Sequence, residues 1–81
     1  MGRVRYIEVY IPQIAKKMDL KCEEDITVKC LLKKLKLFCK VEGGEGIMTS
    51  LEMKSFMDPE KNLKEEGVRD GDRFEIFYLT E

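Results

Sequence analysis

Between Thr27 and Lys40, apolar residues return at steps of three and four. Val28, Leu31, Leu32, Leu35, Phe38 and Cys39 therefore share one stripe of an α-helix. Lys29, Lys33, Lys34, Lys36 and Lys40 occupy the other positions and are expected to face water. Thr27 is the predicted N-cap, because its hydroxyl can accept from an unpaired N–H of the first turn. Glu24 and Asp25 place negative charge at the positive end of the helix, and Lys40 places positive charge at the other. Gly43-Gly44 is expected to stop the helix by supplying the left-handed conformation that closes it. A single helix with one apolar stripe is not stable alone in water and needs a surface to lie on.

The flanking sequence supplies that surface as strands. From Arg3 to Ile11 the residues alternate, with Ile7, Val9 and Ile11 on one side and Tyr6, Glu8 and Tyr10 on the other. Pro12-Gln13 interrupts the run. From Ile14 to Cys22 a second alternation sets Met18, Leu20 and Cys22 against Lys17, Asp19 and Lys21, so the two runs read as a hairpin. Its turn is expected to exceed two residues, because Ala15-Lys16 carries no strand signal. Ile26 stands where it can staple onto the first helical turns.

Beyond the helix, Glu42 to Gly46 is a loop by composition. A short strand is expected within Ile47 to Met53, followed by irregular structure to Met57, and Asp58-Pro59 breaks what precedes it. Glu60 to Gly67 offers only Leu63 to a core and is predicted to form a single helical turn pinned by that residue. Asp70-Gly71-Asp72 is a turn. In the last strand Phe74, Ile76 and Tyr78 alternate with Glu75, Phe77 and Leu79. A hairpin, a helix crossing it and strands that return to pair with the first make an α+β arrangement.

Charge and cysteine content exclude several classes. Fifteen basic and sixteen acidic residues nearly cancel, so no global field draws the chain toward nucleic acid or a membrane surface. The five-lysine helix face reads as a solvated face rather than a phosphate-binding one. No run approaches the ~18 apolar residues that span a bilayer. The opening Met-Gly-Arg-Val-Arg-Tyr lacks a secretory apolar segment, and Tyr6 stands where a myristoylation motif needs Ser or Thr. A cytoplasmic protein without stable membrane insertion is the expectation. Cys22, Cys30 and Cys39 form no Cys-x-x-Cys pair, and the chain has no histidine to complete a zinc site. They read as small hydrophobes in a reducing compartment.

The segment Leu63-Lys64-Glu65-Glu66-Gly67-Val68-Arg69-Asp70-Gly71-Asp72-Arg73-Phe74-Glu75-Ile76 resembles the closing segment of ubiquitin-like β-grasp domains. Asp25-Ile26-Thr27-Val28 is similar to their entry into the helix. The resemblance implies one ubiquitin-like domain over residues 1–81. It has a mixed four- to five-stranded sheet and one main helix, about residues 28–40, packed on one face. Among β-grasp groups the chain looks most like the YukD type, small bacterial ubiquitin-like proteins associated with type VII secretion systems. The features shared with it are the length, the Ile-Glu-Val-Tyr-Ile first strand, the helix from Val28 to Leu35 and the Gly-Asp-Arg-Phe-Glu-Ile-Phe ending.

Ubiquitin-like modifiers and sulfur carriers act through a flexible Gly-Gly tail whose carboxylate is activated. This sequence ends Tyr78-Leu79-Thr80-Glu81, and its Gly43-Gly44 is internal, so conjugation and sulfur transfer are the disfavoured alternative. No Ser-His or Cys-His pair is available for nucleophilic catalysis. Glu23, Glu24, Asp25, Glu65, Glu66, Asp70 and Asp72 are expected in exposed turns or caps, with ordinary solvation. Gly43, Gly44 and Gly46 lack the Lys and Ser or Thr of a phosphate loop, and Asp70-Gly71-Asp72 lacks the further ligands of a calcium loop. The expectation is no enzyme, cofactor or metal.

What remains is the face of the sheet turned away from the helix. If Ile7, Val9, Ile11, Phe74 and Ile76 face the helix, then Tyr6, Tyr10, Phe77 and Leu79 face outward on the two central strands. They are the candidate protein-binding residues, with a secretion-system component as the partner that the resemblance implies. Leu37, Met48, Met53, Phe56 and Met57 are possible extensions. A homodimer through the same strip, or through an edge of the last strand, is a further option.

Overall fold

The periodicity of residues 27–40 is realised as helix α1, Val28–Cys39, in a computed structural model that describes residues 3–80. Gly2 and Glu81, on which the lipidation and tail readings bear, lie outside the described residues. The Thr27 hydroxyl accepts from the Cys30 N–H at 3.2 Å, as the cap reading requires. Val28, Leu31, Leu32 and Leu35 are buried.

Strands β1 (Val4–Ile11) and β2 (Lys16–Glu23) form the expected hairpin, joined through a 3-10 turn at Pro12–Ile14 and a left-handed Ala15. Strands β3 (Gly46–Ser50), β4 (Ser55–Phe56) and β5 (Arg73–Tyr78) complete one five-stranded sheet in the order β2-β1-β5-β3-β4. β1 and β5 run parallel at its centre, with Val9 opposite Phe74; every other pairing is antiparallel. The core lies between α1 and the inner face. Ile7, Val9 and Ile11 from β1, and Phe74, Ile76 and Tyr78 from β5, meet Val28, Leu31, Leu32 and Leu35 there. Leu63 is fully buried, and Val68 closes the same cluster.

Several local expectations are corrected. The helix is closed not by Gly43 but by Lys40, which itself takes the left-handed conformation (φ 55°), while the Val41 N–H returns to the Lys36 carbonyl at 3.1 Å. A non-glycine residue in that conformation costs roughly 1 kcal/mol. Gly43 and Gly44 serve close approach instead. A Cβ on Gly43 would stand 2.8 Å from the Leu79 carbonyl oxygen, and the Gly44 N–H donates to that same oxygen at 2.6 Å. The Lys36 ammonium turns back to donate to the Gly43 and Gly44 carbonyls, so this lysine does not simply face water.

Phe38 is not in the core; it is 75% exposed at the helix edge, with the Lys16 ammonium 6.0 Å from its ring. The segment 60–67 is a run of turns with no longer helix, and within it the Glu66 N–H donates to the Asn62 carbonyl at 3.1 Å, a single helical turn around the buried Leu63 as expected. Ser55–Phe56 is a strand where irregular structure is the sequence expectation, because Phe56 falls opposite Thr49. β5 is central, so the last strand has no free edge for self-association. Glu24 is buried rather than solvated, and its carboxylate meets the Arg5 guanidinium at 2.8 Å.

Candidate functional site

The parity of β1 and β5 puts Tyr6, Tyr10, Phe77 and Leu79 on the outer side, where they are 53%, 39%, 45% and 44% exposed. Strand register decides which of them are neighbours. Tyr10 stands opposite Glu75 on β5, and Phe77 is two residues further along the same strand and face. Phe77 stands directly opposite Ile47 on β3. The next outward residue, Leu79, donates its N–H to the Glu45 carbonyl at 2.9 Å and continues the row. Tyr10, Phe77, Ile47 and Leu79 therefore belong to one apolar strip.

Tyr6 is separated from that strip. Glu8 and Arg73 face each other between them, and Glu8 also binds Lys17 at 2.9 Å. The Tyr6 backbone is fastened to the loop before β5: its N–H donates to Asp70 Oδ1 at 2.9 Å, and its carbonyl accepts from the Gly71 N–H at 2.7 Å.

The sequence reading missed Ile47 and left Phe56 without an orientation. The signal for Ile47 is its pairing with Phe77, and pairing is invisible until register is known. Phe56 is opposite Thr49, which is opposite Glu75, so it lies on the outer face and is largely exposed. Met48 and Met57 point into the core, and Leu37 projects from the helix, so none of these three extends the strip.

Two acids border the strip, and the cation opposite Tyr10, Lys17, is paired with Glu8. Glu75 stands between Tyr10 and Thr49, and Glu45 borders Leu79. Arg73 is held by Glu52, Nε to Oε1 at 2.9 Å, and this hydrogen bond keeps the Glu52 carboxyl below the usual carboxylate range. Burial pushes the Cys22 thiol up, which makes it a poorer nucleophile than a free cysteine. All three cysteines are free. Among the described residues no cluster of His, Cys, Asp and Glu could hold a metal ion, and no helix is long and apolar enough to cross a membrane.

No family model and no curated protein sequence matches the chain. Solved structures do. A ubiquitin-like domain of an Arabidopsis thaliana protein superposes with a TM-score of 0.76 at 18% identity, covering 94% of this chain and 78% of that one. The fold is the ubiquitin-like β-grasp. The UBL domain of Plasmodium falciparum Dsk2 gives 0.73 at 19% identity, covering 93% of this chain and 97% of that one. The EccD5 ubiquitin-like domain from Mycobacterium xenopi gives 0.73 at 14% identity, covering 98% of each chain. In this β-grasp sheet the helix covers one face, and the face carrying Tyr10, Phe77 and Ile47 is left uncovered.

Proposed function

We propose that residues 1–81 act as one non-catalytic ubiquitin-like binding module that docks a larger protein on the outer sheet face. The strip of exposed Tyr10, Phe77 and Leu79 with half-buried Ile47 carries the reading, with Tyr6 as a separate flanking contact. Contiguous exposed apolar area usually marks an interaction site. Covering it returns roughly 25 cal/mol per Å2 of apolar surface, set against the costs of association. Glu75 and Glu45 beside the strip favour a partner whose apolar anchors are flanked by basic groups.

The module works as a cytoplasmic adaptor without being conjugated. Its Gly43-Gly44 is packed against the Leu79 backbone inside the fold and is unsuited to serve as an activated tail. The resemblance to the YukD type makes a type VII secretion apparatus the proposed setting. Neighbouring genes for a secretion ATPase and small helical substrates would support that setting, and their absence would remove it.

The Y10D/F77D double variant should lose the partner in a pull-down while its circular dichroism spectrum stays unchanged. Retained binding defeats the proposal. Mass spectrometry that finds the chain in an isopeptide bond or as a thiocarboxylate would assign it to the modifiers or sulfur carriers instead.

A further inference from the structure

The two edges of the sheet are unequal: β4 has two residues and β2 has eight. A long edge strand presents a row of unpaired N–H and C=O groups to any strand that fits it. The Glu24 N–H donates to the Arg3 carbonyl at 2.8 Å, in the same register that sets Cys22 opposite Arg5 and Leu20 opposite Ile7. The even-numbered residues of β2 thus turn their backbone groups toward β1, and Lys17, Asp19, Lys21 and Glu23 turn theirs outward.

The side chains of those four residues share the outer face and read positive, negative, positive, negative. Asp19 stands opposite Glu8, a like-charge pairing that costs stability. Among the described residues, Asp19, Lys21 and Glu23 take part in none of the four ion pairs. On the inner face, the groove between β2 and α1 is lined by Leu20, Cys22, Ile26, Leu31, Leu35 and Phe38. Leu20 is only partly covered, and Phe38 stands exposed at the rim.

We propose that β2 is a homodimerisation edge, two copies pairing it antiparallel about a two-fold axis at Leu20 so that their sheets become one. In this register Asp19 meets the partner's Lys21, and Lys17 meets the partner's Glu23, each contact occurring twice by symmetry. The like-charge contact of Asp19 with Glu8 then gains a cation beside it. Inside, Leu20 meets the partner's Leu20 and Met18 meets the partner's Cys22. The exposed Phe38 edges of the two helices then flank the joined strands.

Other registers fit worse. Centring on Asp19 sets it against itself and Lys17 against the partner's Lys21, and centring on Lys21 repeats the fault with Asp19 against the partner's Glu23. Centring on Met18 runs the pairing into the Pro12–Ile14 turn. A slip of one residue puts charged side chains on the apolar face. The alternating row also fits a second copy better than a uniformly acidic or basic peptide, which would meet two like charges.

Sedimentation equilibrium of the full chain from micromolar to millimolar concentration tests this. The apparent mass should rise from the monomer's 9.5 kDa toward twice that value. K21D alone and D19K alone should each weaken association at least tenfold with unchanged circular dichroism, and the D19K/K21D double exchange should restore it. The Leu20 pair is of the non-hydrogen-bonded type, with Cα atoms ~4.5 Å apart, within disulfide reach. Air-oxidised L20C should therefore form a covalent dimer whose peptide map joins the two L20C positions. A chain monomeric throughout, single exchanges without effect, or a double exchange that fails to restore pairing would each overturn the proposal. Association abolished by F77D would do so as well, by moving the contact to the outer strip; the adaptor reading is tested separately by its own partner.

Discussion

The Tyr78 hydroxyl donates a 2.6 Å hydrogen bond to the Leu32 carbonyl, so the last strand is tied to the middle of the helix across the core. The ring is 1% exposed. A buried phenol needs a partner for its O–H, and this one finds it on a helical backbone rather than in water. The bond adds one polar anchor to the apolar contact that Phe74, Ile76 and Tyr78 already make with α1.

Replacing Tyr78 with phenylalanine removes the bond and leaves the packing. Y78F is expected to cost about 0.5–1.5 kcal/mol in urea unfolding. The wild-type advantage also depends on pH. Desolvation, with a smaller push from Cys39, raises the Tyr78 hydroxyl to about 12, whereas in the unfolded chain it titrates near 10. Unfolding thus releases a proton in this window. The stability that wild type holds over Y78F should be complete below pH 10 and decline as pH rises toward 12. A difference between the two proteins that stays constant across that window would contradict this account.

Gly46 leaves room for the same ring. A Cβ there would lie 2.7 Å from Tyr78 Cε1 and 3.1 Å from Leu32 Cδ2, and the ring is held at its hydroxyl. G46A is expected to destabilise by about 1–3 kcal/mol through overpacking. G71A tests the contrast, because Gly71 has positive φ (87°) but open space around it. Its cost is backbone strain alone, about 1 kcal/mol, and thermal melts of the two variants should rank G46A as the lower.

The elements were legible because two periods are written plainly in the chain. Steps of three and four mark α1, and alternation marks β1 and β5, so the buried set Ile7, Val9, Ile11, Phe74, Ile76 and Tyr78 could be read before any coordinates. Parity also gives which face Tyr10 and Phe77 occupy. Pairing between distant strands has no such local signature. That Ile47 joins the strip and Tyr6 stands apart depends on register, which emerges only from how β3 and β5 dock. The left-handed Lys40 was hidden for a related reason. Glycine is the usual residue there, and Gly43 drew the reading to itself while serving the contact with Leu79.

Gln13, read from sequence only as part of a turn, completes the sheet where β1 ends. Its side-chain amide accepts from the Tyr78 N–H at 2.7 Å and donates to the Tyr78 carbonyl at 2.7 Å, acting as one more residue of a neighbouring strand. Q13A leaves both backbone groups of Tyr78 without that partner. It should cost about 1–3 kcal/mol, and hydrogen exchange at the Tyr78 amide should accelerate ahead of the rest of β5. Q13E keeps the acceptor and loses the donor, so it should restore protection of the Tyr78 N–H only in part.

The fully buried part of the stripe on α1 ends at Leu35, with Cys39 beyond it only partly covered against the core, and mutation can test that boundary. Leu35 is 5% exposed and packs with Val28, Leu31 and Leu32, whereas Phe38, one turn on, lies largely outside. Truncating a buried leucine removes apolar contact and leaves a cavity, so L35A should cost about 2–5 kcal/mol. F38A removes a larger side chain from a site that contributes little to the core. Measured at low concentration, where any pairing through β2 is dissociated, it should shift stability by no more than about 0.5 kcal/mol. Helix propensity widens the contrast by a few tenths of a kcal/mol, because phenylalanine is a poorer helix former than leucine and gains more on becoming alanine. Equal losses for L35A and F38A in chemical denaturation would return Phe38 to the core and remove the exposed ring from the groove beside β2.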